Sequence, residues 1–149
     1  MLRHVLVIVH GLGRHASEWS LWKDAIVPDL PELRRVDRRP DLDRAIATVL
    51  SHLDDRGVAR TTWLGHSFGA HVALAAAERH PERVERLILV AAAPTRRALD
   101  RVQCPVLIVL GALDGLDVAA GGHVQVETLD GVGHDPHLEA PERLRALTG

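Results

Sequence analysis

The chain has 149 residues, 18 basic and 20 acidic side chains, a net charge of -2 at neutral pH and 46% hydrophobic residues, which points to one globular domain with its own core. A charge this close to balance leaves no footprint for nucleic acid or an anionic membrane surface, and the single cysteine, Cys104, excludes an intrachain disulfide. The apolar run at residues 5–9 is shorter than a signal-peptide core or a membrane span, so a cytoplasmic protein is expected.

Leu6-Val7-Ile8-Val9 is β-branched and apolar without alternation, which predicts a strand covered on both faces; it stops at Gly11. Ser17 is placed to cap a helix over residues 18–27, with Trp19, Trp22 and Ile26 at helical spacing. Residues 33–36 predict a weak second strand. Asp41 is placed to cap a helix over 42–56, whose Leu42, Ile46, Val49, Leu50 and Leu53 form one stripe before Gly57 ends it. Thr61-Thr62-Trp63-Leu64 reads as the next strand, and the alanine-rich segment 68–80, closed by Pro81, as a helix. The arginines interleaved with acids in Glu82-Arg83-Val84-Glu85-Arg86 predict solvated faces. Leu87-Ile88-Leu89-Val90 and Val106-Leu107-Ile108-Val109-Leu110 are two more buried strands, 124–129 alternates like an edge strand, and 141–147 predicts a short helix with Pro141 in its first turn. The connections 93–104 and 111–123 barely reach the dozen or so residues that a parallel crossover needs, so each holds a turn or two of helix and no inserted lid. The expected fold class is α/β: a doubly wound, mostly parallel sheet of about six strands with helices on both faces, a three-layer αβα sandwich.

Chemistry concentrates at the carboxyl ends of the strands. Gly65-His66-Ser67-Phe68-Gly69 lies between a strand and a helix, where a sharp turn lifts a serine hydroxyl clear of the sheet and flanking glycines let backbones pass closely; a helix-capping serine is the competing reading. His10-Gly11-Leu12-Gly13 follows the first strand. An oxyanion needs two preset N–H donors, and Leu12 and Phe68 are the candidates. Serine needs a base, and His134 in Gly131-Val132-Gly133-His134-Asp135 is the leading one of ten histidines, with His137 its nearest rival. The base needs a carboxylate: Asp114, just past the 106–110 strand, leads, with Asp117 and Asp135 competing. With the strands ordered second, first, third, fourth, fifth, sixth, all four pieces fall on one lip, and the winding reverses beside Ser67. His10 with His15, or His134 with His137, makes at best a two-ligand metal pair.

The chain resembles the α/β-hydrolase fold of the esterase and lipase type. The residues carrying the resemblance are His10-Gly11-Leu12-Gly13, Val36-Asp37-Arg38-Arg39, Gly65-His66-Ser67-Phe68-Gly69, the stretch from His80-Pro81-Glu82-Arg83 through Val90, Asp114, and Gly133-His134-Asp135-Pro136-His137 with the residues up to Glu142. The resemblance implies the strand order above, Ser67, His134 and Asp114 as a catalytic triad, and Leu12 and Phe68 as oxyanion donors. Beside that family the chain reads as a minimal core, residues 1–149 as a single domain without a cap. The function expected is hydrolysis of small carboxylic esters through an acyl-enzyme, with no cofactor and no metal, by a monomer or homodimer that engages neither nucleic acid nor membrane. The alternatives are an acyltransferase or perhydrolase on the same triad, and a trimmed scaffold with little turnover.

Overall fold

A computed structural model describes residues 5–149. Its centre is one sheet of five parallel strands: β1 (Leu6–Val9), β2 (Thr61–His66), β3 (Val84–Val90), β4 (Val106–Gly111) and β5 (Val124–Leu129), side by side in chain order. The period-two alternation of strand side chains divides the core in two. Val7, Val9, Trp63, Leu87, Leu89, Ile108 and Leu110 point to one face; Ile8, Leu64, Ile88, Val90, Leu107 and Val109 point to the other. Both sets are apolar because both faces are covered.

The first face lies under α2 (Leu42–Asp55), α3 (Phe68–Arg79) and α4 (Arg96–Asp100). Asp41 caps α2 as expected, accepting from the Arg44 N–H at 3.1 Å. The second face is covered by Trp19 and Trp22 and by Leu144 of α6 (Pro141–Thr148). Short helices α1 (Pro31–Arg34) and α5 (Pro136–Glu139) complete the set. The late crossovers are as lean as their lengths imply: α4 is five residues long, and only a 3-10 turn, Ala112–Asp114, separates β4 from the loop to β5.

The sheet has five strands where about six were expected. Residues 33–36 are not a strand: Pro31 starts α1, and Val36 is 72% exposed. The place beside β1 is taken by Ile26, whose N–H donates to Leu6 O at 2.8 Å and whose carbonyl accepts from Ile8 N–H at 2.9 Å. This single parallel bridge explains a second difference, since the helix expected over 18–27 is only a 3-10 turn, Ala16–Trp19, with His15 rather than Ser17 at its cap. Pairing with β1 extends Ile26, and Val27 precedes Pro28, which disfavours helix there. The chain thus passes over one face, touches the β1 edge at Ile26 and returns over the other face as α2. The winding is double, and Val7, Ile8 and Val9 of β1 are fully buried. Arg83 departs from a solvated face: it pairs with Asp54 at 2.6 Å and donates to the carbonyls of Val58 and Ala59. Among the described residues, no helix is long and apolar enough to cross a membrane.

Candidate active site

Ser67 sits between β2 and α3 with φ 56° and ψ -119°, a conformation costing about 1–3 kcal/mol outside glycine. Its surroundings enforce it. The Ser67 N–H donates to Val90 O at 2.8 Å, tying the turn to the end of β3. A Cβ on Gly65 would lie 2.2 Å from Gly69 O, and one on Gly69 would lie 2.1 Å from Val9 O and 2.6 Å from His10 O. The first turn of α3 therefore presses directly on the end of β1, which only glycine at 69 permits. Ser67 occupies the N-cap position, yet its hydroxyl makes no capping bond. It meets His134 instead, with Ser67 Oγ 3.0 Å from Nε2.

The loop carrying His134 is held from three sides. The Leu113 N–H donates to Val132 O at 2.9 Å, and a Cβ on Gly111 would lie 2.1 Å from Gly133 O, so the end of β4 lies tight against the loop. The Glu139 carboxylate accepts from the N–H groups of Gly133 and Asp135, each at 2.9 Å, gripping the backbone on both sides of His134. His66 reaches the His134 carbonyl from below, its Nε2 at 2.9 Å. His134 Nδ1 lies 2.9 Å from Asp114 Oδ2. Ser67, His134 and Asp114 are brought together; the rivals are not. His137 is buried and bonds Glu18 at 2.8 Å, Asp135 turns toward Arg14 and His66, and Asp117 is exposed.

On the other lip, the Gly13 N–H donates to Leu33 O and the Arg14 N–H to Gly11 O. Leu12 N–H and Phe68 N–H, the latter first in α3, have no backbone acceptor among the described residues. The His10 ring orders this loop: Nδ1–H donates to Gly11 O at 2.9 Å, and Nε2 accepts from Leu30 N–H at 3.0 Å.

Beneath the site lies a polar cluster that sequence reasoning missed. Arg14 binds Glu18 at 3.0 Å and approaches Asp135 at 3.1 Å; Glu18 binds His137; and His137 stacks on Trp19 with ring centroids 4.2 Å apart. The spacing of Arg14 and Glu18 at i, i+4 and of His134 and His137 at i, i+3 was its only trace in the sequence. Burial pushes the His10, His66 and His137 rings below the ordinary imidazole range, His66 to about 4. His66, Asp135 and His137 each offer one ligand atom within 4.8 Å of the others. The Arg14 guanidinium already stands against the Asp135 carboxylate, and the His66 Nε2 proton is committed to a carbonyl, so the set does not fit a cation.

The His134 side chain is 47% exposed, and the site opens to solvent. A cavity of about 520 Å³, lined by Arg60, Glu78, Arg101 and Cys104, lies at the opposite, amino end of the strands. Burial pushes the Cys104 thiol up, as befits a packing residue.

Residues 6–102 match the family model described as the alpha/beta hydrolase family. Curated relatives include the 2-hydroxymuconate semialdehyde hydrolase of Pseudomonas sp. (strain CF600), 32% identical over 65% of this chain and 41% of that protein. Another is the pimeloyl-[acyl-carrier protein] methyl ester esterase of Citrobacter koseri, 34% identical over 60% of this chain and 37% of that protein. The chain thus spans less than half the length of these relatives. A predicted CIB-like hydrolase from Thermoplasma acidophilum has the same fold, with a TM-score of 0.80 and 23% identity over 98% of this chain and 84% of that one.

Proposed function

The chain belongs to the alpha/beta hydrolase family, and we propose that it hydrolyses small carboxylic esters through an acyl-enzyme on Ser67. The observation that carries this reading is the continuous line of contacts from Ser67 Oγ to His134 Nε2, 3.0 Å, and from His134 Nδ1 to Asp114 Oδ2, 2.9 Å. In the first step His134 takes the Ser67 proton as the oxygen attacks the carbonyl carbon. The N–H groups of Leu12 and Phe68 receive the oxyanion, aided by the positive end of α3. Asp114 holds the Nδ1–H tautomer and stabilises the imidazolium. His134 then protonates the leaving alcohol, and a water activated by the same ring cleaves the acyl-enzyme. Solvent access to His134 favours water over an acyl acceptor in that second step. The same exposure of His134 favours short acyl groups over long ones.

Turnover of p-nitrophenyl acetate and labelling by a fluorophosphonate probe test the reading together. Wild-type protein should do both, and Ser67→Ala should do neither, since removal of a triad nucleophile costs up to about 10⁶-fold. Retained activity or labelling in Ser67→Ala would move the nucleophile elsewhere.

A further inference from the structure

We propose that His66, the residue before the nucleophile, is a positioning residue for the base: its Nε2–H pins the His134 carbonyl and thereby sets the reach of the imidazole to Ser67. The inference rests on the hydrolase reading above. His66 is the last residue of β2, and its side chain is 1% exposed. Its Nε2 faces two acceptors, His134 O at 2.9 Å and Asp135 Oδ1 at 3.4 Å. A nitrogen facing only acceptors carries the proton, so the ring is the Nε2–H tautomer. The other nitrogen, Nδ1, is buried without a partner, and a Cβ on Gly11 would lie 3.2 Å from it.

That orphaned nitrogen is informative. Burying an unpaired polar atom costs free energy that an apolar side chain of similar size avoids. The ring's benefit therefore lies at Nε2, in its bond to the base loop. Ser67 and His66 together touch His134 twice, once at its ring and once at its carbonyl. Glu139 grips the N–H groups on either side, so the His134 backbone is fixed at three points and only its side-chain torsions remain free. The groups around His66 are His134, Asp135 and His137 from the base loop, with Arg14 and Glu18 just beyond. A ring that stays neutral adds no charge beside the imidazolium that forms on His134 during turnover.

Three variants separate positioning from filling. Glutamine carries its amide nitrogen near the place of Nε2; asparagine carries it near Nδ1; leucine has none. His66→Leu and His66→Asn should lower kcat by about 10- to 100-fold, the cost of a small misplacement of a catalytic group. KM should stay within about twofold, and fluorophosphonate labelling should slow by the same factor as kcat. His66→Gln should recover most of the loss. Equal behaviour of the Asn and Gln variants would overturn the proposal. Independently of any variant, imidazole ¹⁵N shifts of the wild-type protein between pH 6 and 8 should report the Nε2–H tautomer at His66; the Nδ1–H tautomer would overturn it. Should wild-type protein neither turn over the ester nor take the probe, the hydrolase reading fails, while the ¹⁵N measurement still decides the His66–His134 bond.

Discussion

Lowering the pH from 7 to 5 should weaken the fold through His66. Burial behind the serine turn depresses this ring from the ordinary 6.5 to about 4, although the His134 carbonyl and Asp135 pull the other way. Between those two values the unfolded chain binds a proton that the folded chain refuses. The contribution is therefore fully present above about pH 6.5 and drains as the pH falls toward 4. At 1.36 kcal/mol per unit, the gap corresponds to roughly 3 kcal/mol at its limit and about 2 kcal/mol by pH 5. His10 and His137, depressed by the same cause, act with the same sign. Partial burial raises the Glu18 pKa, but bonds from His137 and Arg14 hold it below the ordinary carboxylate value of 4.5, so its loss begins only under that pH. Urea unfolding of wild-type and His66→Gln protein at pH 7, 6 and 5 measures the term directly. Wild-type stability should fall by about 2 kcal/mol more than that of the variant across this range. Parallel losses in the two proteins would refute the assignment of the proton to His66.

Gly69→Ala forces a Cβ against Val9 O and His10 O. It should cost about 2–3 kcal/mol in urea unfolding and slow fluorophosphonate labelling, because the first turn of α3 must lift off β1. Glu139→Ala frees the N–H groups of Gly133 and Asp135; kcat on a p-nitrophenyl ester should drop about tenfold at unchanged KM, as charge-assisted bonds on the base loop are lost. Asp41→Ala removes the α2 cap. Because the Asp41 carboxylate bonds the Arg44 N–H and none of Ser67, His134 and Asp114, the loss should lower stability by about 1 kcal/mol and leave kcat untouched.

Much of this molecule was legible in its sequence because local and global preferences agree. Apolar runs without alternation at 87–90 and 106–110 became strands buried on both faces, and Asp41 capped α2 because its side chain answers a purely local need. The glycines around Ser67 were readable because close backbone approach leaves no other residue type. What failed was settled by distant partners. Residues 18–27 have a helical pattern, but the empty flank of β1 drew Ile26 into a bridge, and residues 33–36 then had no edge left to join. The Arg14, Glu18, Asp135, His137 and His66 cluster was invisible for a like reason. Its members lie up to 123 residues apart in the chain, counting from Arg14 to His137, and each alone looks like an ordinary surface charge or a spare histidine.

A sheet whose strands stand in chain order also has a kinetic meaning. Each strand from β2 onward joins its predecessor by closing one crossover, and loop-closure entropy grows only slowly with length, so assembly can proceed as a series of near-neighbour additions. The serine turn becomes bounded once β3 supplies the Val90 carbonyl, whereas its base arrives only with the segment beyond β5. Reactivity at Ser67 would therefore switch on at the last addition, making the fluorophosphonate reaction a clock for the end of folding.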